Sequence, residues 1–376
     1  MRKKIKILTV VGTRPNFIKI APLFEEFKKY KEISRVLIHT GQHYDFEMSN
    51  VFFRELKIPK PDYDLNIGSG SHAQQTARVM LKIEKVFIKE KPDLVIVVGD
   101  VNSSLAGALT AVKLHIPVAH IEAGQRSFDR EMPEEINRIL IDHISELLFV
   151  STEDDRKNLL KEGIDKNKIF LTGNIMTDAL LKIKKKVVVP YFFKKIGLQK
   201  KKYAVLTLHR AGNVDKERRL KEILEAILKI SEKLPIVFPI HPRTKKMIRI
   251  FGFKKLISKN KSLIIMPPLS YFDMIGLVKN SKLVLTDSGG LQHETTVLNI
   301  PCLTIKKTTE WPITVEKGTN LVVGRSKERI IKEALKVISG RVKKAKKIKY
   351  WDGKTSKRIA KILLKKTKSI RRNFYE

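Results

Sequence analysis

Short apolar runs rich in Ile, Val and Leu alternate with longer stretches of helical spacing along most of the chain. In the first half, residues 5–12, 35–41, 93–100, 117–124, 146–152 and 169–174 read as strands. Helices are expected between them, over 74–89, 103–114 and 133–145. The last of these opens on Pro133, which suits a first helical position, and continues with Ile136, Ile139, Leu140 and Ile144 at helical spacing. Near-continuous apolar strands joined by helical crossovers predict a parallel sheet covered on both faces. The alternation restarts after a basic connection at 182–202, with strands over 203–210, 235–242, 262–268, 282–290 and 301–307. Its helices are expected over 216–234, 271–280, 291–299 and 327–338, and a last helix over 354–368. The fold class is therefore α/β, with two doubly wound domains at 1–182 and 183–353 and a C-terminal helix within 354–376.

Ligands of open parallel sheets sit beyond the carboxyl ends of the strands. The unusual polar residues collect at those ends: Arg14, Gln42, His43, Asp100, Glu122, His209, His241 and Asp287 to Gly290. Two domains facing each other along these edges would enclose a ligand.

Charge changes the picture less than its size suggests. The 376 residues carry 76 Lys+Arg against 39 Asp+Glu, a net charge of +37. Residues 341–376 hold fifteen basic residues against Asp352 and Glu376, and 181–202 holds nine lysines and no acid. The remainder is spread through helices beside acidic neighbours. No zinc finger or basic-aromatic alternation accompanies it, so a lysine-rich solvated surface is expected rather than a specific nucleic-acid partner. Cys302 is the single cysteine, which excludes an internal disulfide framework. No apolar run reaches the ~18 residues of a membrane span, and no signal-peptide pattern follows Met1, so a cytoplasmic protein is expected.

Two strand-to-helix turns carry candidate anion sites. In GTRPNFIK (12–19), backbone N–H groups, a helix dipole and Arg14 all favour negative charge; the alternative is an ordinary turn with Arg14 and Lys19 solvated. In TDSGGLQHE (286–294), Gly289 and Gly290 allow close approach, Ser288 adds a hydroxyl, and Glu294 suits ribose hydroxyls. The alternative there is a tight turn needing glycines for positive φ. GSGS (68–71) reads as a flexible loop. Asp100, Glu122 and Glu134 place carboxylates at strand ends or a helix start, and TLHRAGN (207–213) adds His209 beside Arg210. Carboxylates and an imidazole are equipment for proton transfer, although an acid such as Glu134 in a first helical turn is also favoured by the dipole alone. No metal site is expected: His39 and His43 straddle a strand end and no carboxylate completes a set.

Taken in order, GTRPNFIK, TGQHYD, GDVNSSLAG, HIEAGQRSF, MPEEINR, TLHRAGN, TDSGGLQHE and TTEWP resemble the non-hydrolysing UDP-N-acetylglucosamine 2-epimerases over nearly the whole chain. The resemblance implies a GT-B arrangement of two Rossmann-like domains around a cleft, with the C-terminal helix crossing back to the first domain. It implies interconversion of UDP-GlcNAc and UDP-ManNAc by elimination of UDP to 2-acetamidoglucal and re-addition, without a cofactor, in a homodimer. Arg14, Ser288, Gly289 and Gly290 would hold the phosphates and Glu294 the ribose. Asp100, Glu122 and Glu134 match the acid/base set, and His209 the group near the leaving oxygen. Lys19 and Gln42 match substrate-binding positions, and Leu269 and Met274 positions lining a uracil pocket. TGQH fits an activator site of bacterial members, which would involve Gln42, His43, Arg210 and His241, although residues 68–76 form a shorter segment than theirs.

Two departures stand out. Trp311 occupies the place of an arginine in many members, and Ile313 that of a glutamate. GTRPNFIK, GSGSHAQQT and MPEEINR look closer to a branch that includes epimerases of UDP-2,3-diacetamido-glucuronic acid, the alternative substrate. A GT-B glycosyltransferase would share the fold and the UDP site.

Overall fold

The computed structural model describes residues 4–41, 58–184, 187, 189–258 and 260–375. The chain divides into two compact units, Met1–Ala179 with Lys349–Glu376, and Leu180–Ile348.

In the first unit, seven parallel strands are β1 (Ile5–Val11), β2 (Ile33–His39), β3 (Tyr63–Asp64), β4 (Leu94–Val98), β5 (Val118–Ala123), β6 (Leu147–Val150) and β7 (Ile169–Leu171). Their order is β3-β2-β1-β4-β5-β6-β7. All five residues of β4, Leu-Val-Ile-Val-Val, are buried, as a strand covered on both faces requires. Ile96 and Val98 point into a cluster with Phe17, Leu23 and Phe24 of the Arg14–Phe27 helix, while Val95 and Val97 face Val79 and Ile83 of the His72–Glu90 helix. The C-terminal Thr355–Tyr375 helix belongs to this unit, with Ile359, Ala360 and Leu363 in the first of those clusters. Its start is capped in trans: buried Asp178 accepts from Thr355 N (3.1 Å), Ser356 N (2.8 Å) and Ser356 Oγ (2.7 Å).

The second unit has β8 (Ala204–Thr207), β9 (Ile236–Pro239), β10 (Leu263–Met266), β11 (Leu283–Thr286), β12 (Cys302–Thr304) and β13 (Asn320–Val322), in the order β10-β9-β8-β11-β12-β13. Leu220, Ile223, Leu224, Ile227 and Ile230 recur every three or four residues on the Glu217–Ser231 helix and form the buried stripe against this sheet. In both sheets the strand order reverses beside the first strand of the unit, between β1 and β4 and between β8 and β11. These are the topological switch points where open α/β sheets bind ligands.

The α/β alternation thus predicts the architecture, and the helices at 271–280 and 327–338 fall where expected. GSGS (68–71) is a loop, as read, and its last residue has a further role: Ser71 caps the His72–Glu90 helix, its side chain accepting from Gln74 N while Gln74 reaches back to Ser71 N at 3.2 Å.

Candidate active site

At the switch point of the first unit, β1 is followed by Gly12 and β4 by Gly99. A Cβ on Gly12 would lie 2.1 Å from Ser103 Oγ and 2.5 Å from Ser103 Cβ, so only glycine lets these two segments approach. The turn does not offer the free amides expected of it. Asn16 Oδ1 accepts from Gly12 N (3.2 Å) and Thr13 N (3.0 Å), its Nδ2 donates to Val98 O (2.9 Å), and Pro15 has no N–H. Arg14 starts the helix, and its side chain lies outside the described residues, as do Gln42 and His43.

Glu122 is the distinctive residue of this edge. The pairing of β5 with β6 slips between Ile121 and Ala123, leaving Glu122 as a bulge, and its φ of 71° is left-handed although it is not glycine. The bulge turns a buried side chain toward Lys19, whose ammonium pairs with Oε2. Oε1 is buried and accepts no hydrogen bond from the described residues. Gly99, at φ 65°, passes so close that a Cβ would sit 3.1 Å from Lys19 Nζ.

Asp100 pairs with Arg138, which also donates to Glu135 (2.9 Å). Burial would raise the Asp100 carboxyl, but the cations of Arg138 and Lys19 prevail and hold it below the usual carboxylate range. Glu134 stands half-buried in the first turn of the Pro133–Ile144 helix. Its neighbour Glu135 has the structural role: it accepts from Ser127 N (2.9 Å), Ser127 Oγ (2.9 Å), Phe128 N (2.9 Å) and Arg138. The two glutamates are indistinguishable in sequence; the 3.6-residue turn sends one inward and leaves the other at the edge. Behind them, His120 bridges Asp142 (2.7 Å) and the Gly99 carbonyl (3.0 Å). Lys19, Asp100 and Glu122 are therefore brought together, with Glu134 on the helix that supplies Arg138.

At the switch point of the second unit, the register pairs Thr207 with Thr286, which places His209 beside Asp287 and Ser288. Asp287 is fully buried and accepts from His209 N (3.0 Å), Arg210 N (2.9 Å) and Asn213 Nδ2 (3.1 Å), with His209 Nδ1 at 3.1 Å. The Gly289–Leu298 helix starts immediately after Ser288, which makes no side-chain cap. Neither Gly289 nor Gly290 has positive φ, and a Cβ on either would meet nothing closer than 3.7 Å. A tight turn is thus not what these glycines serve. They leave the helix N-terminus without a side-chain cap, a geometry that suits an anion. Trp311 Nε1 lies 3.8 Å from the Cβ position of Gly289, and the ring packs edge-on against His293 at 5.3 Å. Buried Glu310 accepts from Lys306 (2.6 and 2.8 Å) beside them. Glu294, also buried, accepts from Tyr271 Oη (2.9 Å). Leu269 precedes Ser270, the cap of the Tyr271–Asn280 helix, and Met274 lies one turn into that helix. His241 caps the Pro242–Ile250 helix and lies with its ring 5.3 Å from that of His209. Among the described residues no three metal-ligating side chains converge.

The sequence profile of the UDP-N-acetylglucosamine 2-epimerase family matches residues 25–364. The UDP-N-acetylglucosamine 2-epimerase of Methanocaldococcus jannaschii is 48% identical over 96% of this chain and 99% of its own. The chain belongs to the UDP-N-acetylglucosamine 2-epimerase family. The crystal structure of the M. jannaschii UDP-GlcNAc 2-epimerase in complex with UDP-GlcNAc and UDP superposes with a TM-score of 0.88, at 47% identity, over 96% of this chain and 99% of that one. The UDP-2,3-diacetamido-2,3-dideoxy-D-glucuronate 2-epimerase of Pseudomonas aeruginosa is 43% identical over 96% of this chain and 100% of its own. Family membership and the two-sheet α/β fold are thereby established as the eight motifs imply. Sequence reading missed Arg138, Asn16 and Lys306 because each acts through a partner distant in the chain or on another turn. Asp287 was visible as a polar residue at a strand end, but nothing local revealed the three N–H groups that donate to it or the His209 ring beside it.

Proposed function

We propose that this chain is a 2-epimerase of UDP-GlcNAc, giving UDP-ManNAc through elimination and re-addition of UDP. The C2–H of the sugar is not adjacent to a carbonyl, so its removal must be coupled to loss of the group at C1. A carboxylate takes the C2 proton, the C–H electrons form the C1=C2 bond, and the C1–O bond breaks with its electrons on the diphosphate oxygen. The products are 2-acetamidoglucal and UDP; protonation of C2 from the opposite face and return of UDP complete inversion.

Glu122 carries the reading. A strained bulge holds a buried carboxylate with one oxygen on Lys19 and the other without a partner among the described residues, the arrangement of a base awaiting a proton. Asp100, kept anionic by Arg138, and Glu134 at the helix start supply the remaining acid/base positions for the two faces. The Gly289–Leu298 helix N-terminus and Ser288, with Arg14, suit the diphosphate; Glu294 suits the ribose, and Leu269 and Met274 the uracil. His209 would neutralise the departing oxygen. UDP-GlcNAc is preferred to the diacetamido uronate because the relative named for it is the more similar, 48% against 43% identical.

Incubation with UDP-GlcNAc in D₂O, followed by proton NMR, tests this directly. UDP-ManNAc carrying deuterium at C2 is expected, with some UDP and glucal after long incubation. Inversion without deuterium at C2 would eliminate the mechanism, and no inversion would eliminate the activity.

A further inference from the structure

We propose that Asp287 is the positioning residue for His209: it accepts from Nδ1–H and so makes Nε2 the working end of the imidazole. This rests on the elimination reading above.

Asp287 is fully buried at the end of β11, and His209 N, Arg210 N and Asn213 Nδ2 all donate to its two oxygens. Three N–H groups converging on one carboxyl require the anion, which can only accept. His209 Nδ1, 3.1 Å from Oδ1, must therefore carry its proton toward Asp287. Burial would raise the Asp287 carboxyl, yet the His209 side chain and the two amides prevail and hold it below the ordinary range. The partner is itself fixed: Asn213 also donates to Ile305 O (2.8 Å) and accepts from Arg325 Nε (2.8 Å), so Asp287 has no room to swing. On the other side, His241 lies 35° from coplanar with His209 and accepts from Arg243 N through its own Nδ1. Burial, with the nearby His209 and Arg243, lowers the His241 ring below its usual value. It does not compete for the proton.

The consequence for the reaction is a defined proton path. With diphosphate bound, His209 is the imidazolium, Nδ1–H on Asp287 and Nε2–H on the leaving oxygen. When C1–O breaks, the Nε2 proton passes to UDP and the neutral Nδ1–H tautomer remains. Re-addition returns the proton to Nε2. Without Asp287 the neutral ring is free to take the other tautomer, with its proton on Nε2 and its lone pair turned away from the ligand. A buried aspartate behind a catalytic histidine sets the tautomer in this way in the serine proteases.

Nitrogen NMR of the whole protein labelled with [¹⁵N]histidine reads the tautomer without any substitution. The chain has nine histidines, and the His209→Gln spectrum identifies the signal by its loss. Neutral His209 is expected with Nδ1 protonated and Nε2 bare; a neutral ring protonated on Nε2 overturns the proposal. In parallel, Asp287→Asn is expected to lower kcat by at least ~10²-fold while KM and UDP affinity stay within about threefold. Equal kcat in the variant and an active wild type also overturns it. If wild-type protein fails to invert UDP-GlcNAc, the reaction reading falls, while the NMR still decides Asp287. If Asp287→Asn does not fold, the wild-type tautomer decides alone.

Discussion

Glu122 is held in a conformation that a free chain would avoid. A non-glycine residue at positive φ costs of order 1 kcal/mol, and a buried carboxylate oxygen without a donor costs more. Strain and an unsatisfied buried oxygen at one residue are what the proposed role as base would require of it. Glu122→Gln keeps the shape and removes the basic oxygen. Turnover should fall by at least ~10²-fold with UDP affinity nearly unchanged by calorimetry. The melting temperature should change little, since the amide oxygen can still accept from Lys19; a marked fall would identify Glu122 as structural. Cys302 illustrates the opposite case. It is buried in β12, and burial pushes its thiol up to about 11, so at pH 8 it is protonated and out of reach. Native protein should not react with a disulfide reagent such as DTNB, and one thiol should appear on unfolding in urea.

At the scale of elements, backbone approach and caps decide more than propensity. Gly12→Ala drives a methyl into Ser103, between two buried segments, and should destabilise the first unit by about 1–3 kcal/mol. Ser103→Gly in the same chain removes the colliding atoms and should recover most of the loss in urea midpoint. The C-terminal helix has its own vulnerable point. Its N-terminal amides depend on Asp178, which is 177 residues away in sequence and buried. Asp178→Ala should cost about 2 kcal/mol, the upper end for a cap, seen as a lower urea midpoint with an unchanged m-value.

At the scale of the whole molecule, a net charge of +37 works against compactness. Salt shortens the reach of that repulsion from about 30 Å at 0.01 M to about 10 Å at 0.1 M. The melting temperature should therefore rise with sodium chloride over this range; a fall would mean that attractive surface pairs dominate. Acid acts on specific groups. Asp100 and Asp287 both titrate below their ordinary 3.8 in the folded protein. The stability they contribute is complete above about pH 3.8 and is lost as pH falls through the lowered values. The stability gap between wild type and Asp287→Asn should accordingly narrow as pH drops below about 4 in urea titrations.

What the sequence determined by itself is what period and local chemistry encode. Period-free apolar runs between helical stretches specify covered parallel strands, and strand-to-helix turns place Gly12, Asp100, His209 and Ser288 at the carboxyl edge of each sheet before any coordinate is known. The eight motifs carry the family for the same reason, because each is a strand end or helix start that chemistry constrains. Tertiary structure decided which of these polar residues are strained, paired or bare. Asn16 occupies the amides that made the first turn look like an anion site, while Gly289 and Gly290 prove unnecessary for their turn. Glu135 is saturated by four donors beside a half-buried Glu134. Asp287 is fixed by groups up to 78 residues away. Those distinctions depend on where N–H donors converge in space, and convergence across a sheet leaves no periodic trace along the chain.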